Sequence, residues 1–198
     1  MKVELLNKPT LEFIDSAIGK CYQKGNYFPD KEKASKRINN VCNIMKHSSM
    51  LRFVNYVFDV EISTSILLEA SRHQVGLDNA FSSTRYCIKN MNIKYEMSNN
   101  QKVNELLEKQ KLEVIEFIKN NPDAKKDDLK LLLHQSFIYE GQMQFNAQSL
   151  QHFLKMRTDR GAHFHIIAFA KELYSQIPED HKFLFEDCVY NSKDKIDG

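Results

Sequence analysis

From Val54 to Ile62 every second residue is large and apolar: Val54, Tyr56, Phe58, Val60 and Ile62 alternate with a set that includes Asn55, Asp59 and Glu61. Successive side chains of a strand point to opposite faces, so this period of two describes a strand with one face buried. A strand of that kind needs neighbours and a cover, which excludes a purely helical bundle. Residues 135–145 (QSFIYEGQMQF) form a second, weaker strand candidate. Much of the remaining chain carries a helical period instead. Leu11, Ile14 and Ile18 recur behind the candidate cap Thr10, Val103, Leu107, Val114 and Ile118 recur further on, and Ile166, Ala170, Leu173 and Ile177 recur near the end. Ile66–Ala70 reads as a short helix, followed by a loop at Gly76. Helices and strands do not alternate as they would in a parallel sheet. The expected class is therefore α+β, an antiparallel sheet packed with several α-helices. Breaks are expected at Gly25–Asp30 and at Asn120–Asp128, and no repeat or low-complexity tract appears, so residues 1–198 are read as a single domain.

A chain of 198 residues, 42% hydrophobic, has enough apolar material to fold without staples; a domain of this size buries roughly 70% of the surface its unfolded chain exposes. Cys21, Cys42, Cys87 and Cys188 stand far apart with no C-x-x-C pair, and no charged-then-apolar leader precedes them, which points to reduced thiols in a cytoplasmic protein. No apolar run approaches the roughly 20 residues that cross a bilayer. With 28 basic and 26 acidic side chains and a net charge of +2, the chain lacks the strongly basic balance of a nucleic-acid binder.

Three clusters place polar groups where a bare fold does not require them. In Asn146–Arg157, read as one amphipathic helix, Leu150, Phe153, Leu154 and Arg157 share a stripe, and Asn146 lies three turns before the arginine on the same side. A guanidinium on an apolar stripe needs an anionic or planar partner, because burying it unpaired costs several kcal/mol; an internal ion pair or a snorkelling side chain answers that need as well as a ligand does. In the second cluster, Arg72 and Arg85 bracket a loop containing Ser82, Ser83 and Thr84, which together offer the fork and neutral donors that phosphate oxygens take. The same residues are common in surface loops. The third cluster, Lys46-His47-Ser48-Ser49, precedes the alternating strand and reads equally as a turn.

Several chemistries find no support. The chain has no G-x-x-x-x-G-K-[ST] and no G-x-G-x-x-G, so a nucleotide would not be held by a P-loop or Rossmann turn. H-E-x-x-H is absent, and His163 and His165, two apart in an expected helix, would face different ways, so no metal site is expected. His134, His152 and His181 have no partner nearby in sequence. Glu186 and Asp187 beside Cys188 would raise its thiol pKa, which disqualifies it as a nucleophile.

Taken in order, the three clusters resemble the flavin-dependent thymidylate synthase family. Its signature is Arg-His-Arg, seven residues, then Ser; here Arg72-His73-Gln74, seven residues and Ser82 follow it with one substitution. The helix Asn146-Ala-Gln148-Ser149-Leu150-Gln-His152-Phe153-Leu154-Lys-Met156-Arg157 is similar to the family's Asn-x-Arg-Ser-Leu-x-Asn-Phe-Leu-x-Leu-Arg, and His47-Ser48-Ser49 to its His-x-Ser/Thr segment. The likeness runs from about residue 10 to Phe185-Glu186-Asp187-Cys188.

The resemblance implies an enzyme that makes dTMP from dUMP with methylenetetrahydrofolate as carbon donor, NADPH as reductant and a tightly bound FAD, without a thiol nucleophile. It implies that Arg157 contacts the pyrimidine and favours its ionised form. Glu69, Arg72, Ser82 or Ser83, Arg85 and Lys130 would hold dUMP, and Ser49, Arg72, His73, Gln74, Asn146, Gln148 and His152 would contact FAD. Family members are homotetramers with shared sites, so the motifs are expected to meet across chains. The chain also departs from the pattern. Gln74 and Gln148 stand where arginines are usual, Ala80 and Phe81 replace an acidic neighbourhood, His134 replaces a common proline, and one residue is inserted: the spacing selects Ser82, whereas the Ser-x-Arg-Tyr ending selects Ser83. Two further readings stay open, a diverged enzyme making a hydroxymethylated or otherwise modified pyrimidine nucleotide, and a non-catalytic protein binding nucleotides, phosphates or a partner.

Overall fold

The structure, a computed structural model, describes residues 1–7, 9–24 and 30–190. Four strands, β1 (Lys2–Leu5), β2 (Asn55–Ser63), β3 (Leu77–Phe81) and β4 (Ile138–Asn146), form one sheet in the order β1-β2-β4-β3. Its pairings are antiparallel. Leu6 and Val57 face each other while Lys2 reaches Asp59; Ala147 donates to Val54 while Thr64 donates to Phe137; Asn146 donates to Gly76 while Ser82 donates to Glu140. Eight α-helices accompany the sheet among the described residues: α1 (Glu12–Cys21), α2 (Lys31–Ile38), α3 (Thr64–Ala70), α4 (Thr84–Cys87), α5 (Gln101–Asn120), α6 (Lys126–Leu129), α7 (Ala147–Arg157) and α8 (Phe164–Ser175). The expected α+β class with an antiparallel sheet holds, as do both strand candidates.

Both long strands run straight into helices, and the sequence supplies the reason. Ser63 ends β2 and caps α3 by accepting from the Ile66 N–H; Asn146 ends β4 and caps α7 by accepting from the Ser149 N–H at 2.9 Å. A short side-chain oxygen satisfies a donor that the first helical turn leaves open, which lets an extended residue become a helix start. Asn146 is thus a cap with extended backbone (φ −73°, ψ 158°) and not, as expected, the first residue of an amphipathic helix. His163 likewise caps α8, its Nδ1 accepting from His165 N–H, so the two histidines do not share a helix; their rings lie 5.3 Å apart. The loop expected after Gly76 contains β3. Asn120 ends α5 as expected, whereas residues 25–29 of the expected Gly25–Asp30 break lie outside the described residues.

The described residues group into two compact units. The first comprises Met1–Lys2, Asp59–Arg72 and Asn79–Gln142. Its core gathers Ile88, Ile93, Tyr95, Val114, Ile118, Leu129 and Phe137, with α5 contributing the Val114 and Ile118 stripe. The second comprises the described parts of Val3–Phe58, His73–Asp78 and the chain from Met143 onward. Its core is aromatic: Tyr56 meets Phe185 at 5.6 Å, Phe58 meets Phe145 at 6.3 Å, and Phe153 sits between Phe145 at 5.1 Å and Phe169 at 6.1 Å, all edge-on. Such pairs each add about 0.5–1.5 kcal/mol to the area they bury. Phe58 of β2, through Phe145 of β4, therefore anchors Phe153 of α7 within this unit.

Candidate functional site

In the second unit the segment His73–Gly76 is strapped to the start of α7. Asn146 N–H donates to Gly76 C=O at 3.0 Å, and Ser149 Oγ donates to Val75 C=O at 2.5 Å. Gly76 has φ +70°, and a Cβ there would collide with Asn146 Nδ2 and Ser149 Oγ, so both the backbone conformation and the close approach require glycine. The strap delivers His73 onto α7. Its ring lies 4.9 Å from Phe153 and 5.5 Å from His152, and its Nε2 accepts from Arg157 Nε at 3.0 Å. A guanidinium can only donate, so His73 Nε2 presents its lone pair and the ring carries its proton on Nδ1. Arg157 is half-buried, with Leu150, Phe153 and Leu154 fully buried on the stripe below it. The partner expected for this cation is thus, at least in part, a planar imidazole 84 residues away in sequence.

Another face of α7 meets a different cluster. α2 continues into a π-helical turn, Asn39–Ile44, closed by Met45 N–H donating to Asn40 C=O at 2.8 Å. Lys46 then takes a left-handed conformation (φ +60°), and Ser48–Phe53 form a 3₁₀ helix. A π turn followed by a non-glycine left-handed residue is a concentration of strain of the sort found at functional positions. Gln151 anchors this region to α7: its amide donates to Asn43 Oδ1 at 3.0 Å and to Leu184 C=O at 2.6 Å. Between these elements lies a recess of about 590 Å³, walled by Tyr22, Lys46, His47, Ser48, Ser49 and Gln148 over Cys21 and Met50. Gln148 Nε2 donates to Ser48 Oγ at 2.8 Å, and Gln148 Oε1 accepts from Arg52 Nε at 2.6 Å. Among the described residues no carboxylate lines the recess. One cation, two hydroxyls, an amide and an imidazole make a donor set that fits an anionic ligand, and Tyr22 offers an aromatic face.

In the first unit, Arg85 on α4 and Lys130 just after α6 converge on one carboxylate. Arg85 Nε lies 3.4 Å and Lys130 Nζ 3.8 Å from Asp127 Oδ1, all three side chains being about half or more exposed (66%, 46% and 51%). Ser82 and Ser83 now separate. Ser82 N–H donates to Glu140 C=O, and its Oγ is buried with no hydrogen-bond partner, whereas Ser83 is exposed at the start of α4. Glu69 is half-buried on α3, and Arg72 is exposed just beyond it.

The sequence-derived positions therefore divide by unit. Ser49, His73, Gln74, Asn146, Gln148, His152 and Arg157 belong to the second, and Glu69, Arg72, Ser82, Ser83, Arg85 and Lys130 to the first. Within the second, His73 meets His152 and Arg157, and Gln148 shares the recess with Ser49; Gln74 is exposed. Within the first, Arg85 and Lys130 meet at Asp127. Sequence reasoning missed Tyr22, Arg52, Asp127 and Gln151. Each has its role through a partner distant in sequence or in a turn of unusual hand, and no local pattern marks it. Among the described residues no group of three or more His, Cys, Asp or Glu is placed to hold a metal. Burial pushes the Cys42 thiol up to about 11, and burial with Asp187 raises Cys188.

A family model described as thymidylate synthase complementing protein matches residues 6–181 of the chain. The flavin-dependent thymidylate synthase of Campylobacter jejuni is 29% identical over 96% of this chain and 98% of its own length, and that of Helicobacter pylori 28% identical over 96% and 99%. Two crystal structures of thymidylate synthase X from Helicobacter pylori, each with FAD and dUMP, superpose with TM-scores of 0.81 and 0.83 at 27% and 28% identity, covering 96% of this chain and all of theirs.

Proposed function

The chain belongs to the thymidylate synthase complementing protein family, and from that premise we propose that it methylates dUMP to dTMP with bound FAD, taking carbon from methylenetetrahydrofolate and reducing equivalents from NADPH. The observation that carries this reading is the Arg157–His73 hydrogen bond of 3.0 Å, which unites two signature motifs separated by 84 residues. In this reading Arg157 is the catalytic group. Oriented by its bond to His73, its guanidinium favours the ionised, electron-rich pyrimidine. Arg85, Lys130, Glu69 and Arg72 hold the nucleotide together with a serine; the exposure of Ser83 beside Arg85 supports it over the inward Ser82 Oγ. Ser49, Arg72, His73, Gln74, Asn146, Gln148 and His152 hold FAD, and the carboxylate-free recess supports that assignment. Bound FAD would supply the hydride that reduces the transferred carbon. The raised pKa of Cys42 and Cys188 supports a reaction that does not use either of these two thiols.

The whole chain, residues 1–198, works as one such domain in a cytoplasmic homotetramer, with neither nucleic acid nor membrane as partner. α5 supports the assembly. Its buried stripe of Val114 and Ile118 is flanked on one side by exposed Val103, Leu106 and Phe117 and on the other by Leu112 and Ile115, more apolar surface than an isolated helix face needs. No helix of the described residues is long and apolar enough to cross a membrane. The test is the visible spectrum of the purified protein with and without dUMP, followed by turnover with the folate and NADPH. A flavin band that dUMP perturbs, and dTMP by product mass, are expected. A colourless preparation that neither takes up FAD nor forms product overturns the reading, and a hydroxymethylated product replaces it with the diverged one that Gln74 and Gln148 motivate.

A further inference from the structure

The recess has a second cation that does not line it. Arg52 reaches it through Gln148: the guanidinium Nε donates to Gln148 Oε1 at 2.6 Å, and the amide, so oriented, donates Nε2 to Ser48 Oγ at 2.8 Å. A guanidinium can only donate, so the Arg52 bond fixes Oε1 and turns Nε2 toward the Ser48 hydroxyl, which can take either role. Arg52 is exposed and, among the described residues, its only hydrogen bond is to Gln148, with no ion pair to a carboxylate. A neutral acceptor uses one of five guanidinium donors and leaves the positive charge undiminished, so four N–H groups remain for an anion. Lys46, turned into the left-handed region, is the cation that lines the wall itself.

We propose that Arg52, held by Gln148, is the principal cation for the diphosphate of the dinucleotide bound at this recess, with Lys46 and the Ser48 and Ser49 hydroxyls completing the anion site. The proposal rests on the FAD reading above and deepens it. It makes the glutamine at 148 a positioning group for a charge carried by a neighbouring helix, and so accounts for how a chain with uncharged residues at 74 and 148 neutralises a phosphorylated cofactor.

The test uses full-length protein and two probes, FAD and riboflavin, which share the ring system but not the diphosphate, each titrated by flavin fluorescence. Arg52→Gln keeps a donor at the Nε position facing Gln148 but removes the charge and the two terminal nitrogens; it is expected to weaken FAD binding about tenfold or more, as loss of a charge-assisted contact does, while riboflavin binding changes less than about twofold. Arg52→Ala serves as the second variant, and circular dichroism checks folding of both. In the double variant Arg52→Ala with Gln148→Arg, the cation returns on α7, and FAD affinity is expected within about threefold of wild type. The proposal falls if Arg52→Gln binds FAD as tightly as wild type, if it loses FAD and riboflavin equally, or if the double variant recovers nothing. Wild-type protein that takes up neither flavin overturns the functional reading and this proposal with it.

Discussion

The two units hold the cations of their candidate sites in opposite ways. In the second, Arg157 rests on an imidazole nitrogen and Arg52 on an amide oxygen, both neutral acceptors. In the first, Arg85 and Lys130 share the Asp127 carboxylate. A neutral acceptor sets direction without cancelling charge, so Arg52 keeps its charge for a ligand. A carboxylate sets position and cancels charge, so an incoming phosphate must compete with Asp127 for the same donors.

The comparison can be broken most severely at Arg157. If it acts through its charge at the reacting pyrimidine, Arg157→Ala should lower kcat/KM for dTMP formation by about 100-fold or more while the thermal midpoint moves little; comparable losses in both would make it structural. Gly76→Ala comes next. A side chain at φ +70° facing Asn146 and Ser149 has to lift the strap off α7, so unfolding free energy should fall by about 2–3 kcal/mol, measured by urea titration, and His73 should lose its seat on Phe153. A Gly76→Ala variant as stable as the parent would remove the strap from the account.

A smaller effect should appear with pH. His181 is buried against the Tyr56 hydroxyl at 2.9 Å, and burial holds its pKa below the usual value of 6.5, opposed in part by Asp180. The unfolded chain therefore takes up a proton that the folded protein resists, so this contribution is present above about pH 6.5 and is lost as pH falls through the lower folded value. The thermal midpoint should decline between pH 7 and pH 5, and His181→Gln should flatten the decline; an unchanged slope would point to other groups. The smallest effect tests the first unit directly. Asp127→Asn frees Arg85 and Lys130, and since exposed ion pairs are weak, dUMP affinity should rise by only about two- to fivefold, read by titration of the nucleotide. Weaker binding would mean that Asp127 organises the cations more than it competes for them.

Several elements were legible before any coordinates because their cause is local. The alternation from Val54 to Ile62 needs only a pleated strand with one buried face, and β2 buries Tyr56, Phe58, Val60 and Ile62 as that demands. The stripes of α1 and α8 follow from 3.6 residues per turn, as does the Val114 and Ile118 part of α5, whereas Val103 of the expected stripe is exposed. The motif order carried the family because spacing along the chain is itself sequence information. Where two local readings compete, sequence reasoning misplaced the boundary. Asn146 and His163 fit a helix by periodicity but act as caps, since a short or ring acceptor answers the open N–H groups of the next turn. β3 was hidden because Leu77-Asp78-Asn79-Ala80-Phe81 lacks an alternating pattern and is a strand only through its partner β4.

The identities of the cations were therefore set by the order of residues, and their meaning by what lies across from each. Nothing near Arg157 in the sequence announces that its Nε donates to His73, 84 residues earlier. Arg52 was an unremarked surface residue until a 3₁₀ helix set it against Gln148, 96 residues later. Periodicity arises from the geometry of one element and is written in neighbouring residues. A hydrogen bond between elements depends on how a π turn, a left-handed lysine and a capped helix direct side chains in space, and those directions accumulate over backbone angles that no short stretch of sequence records.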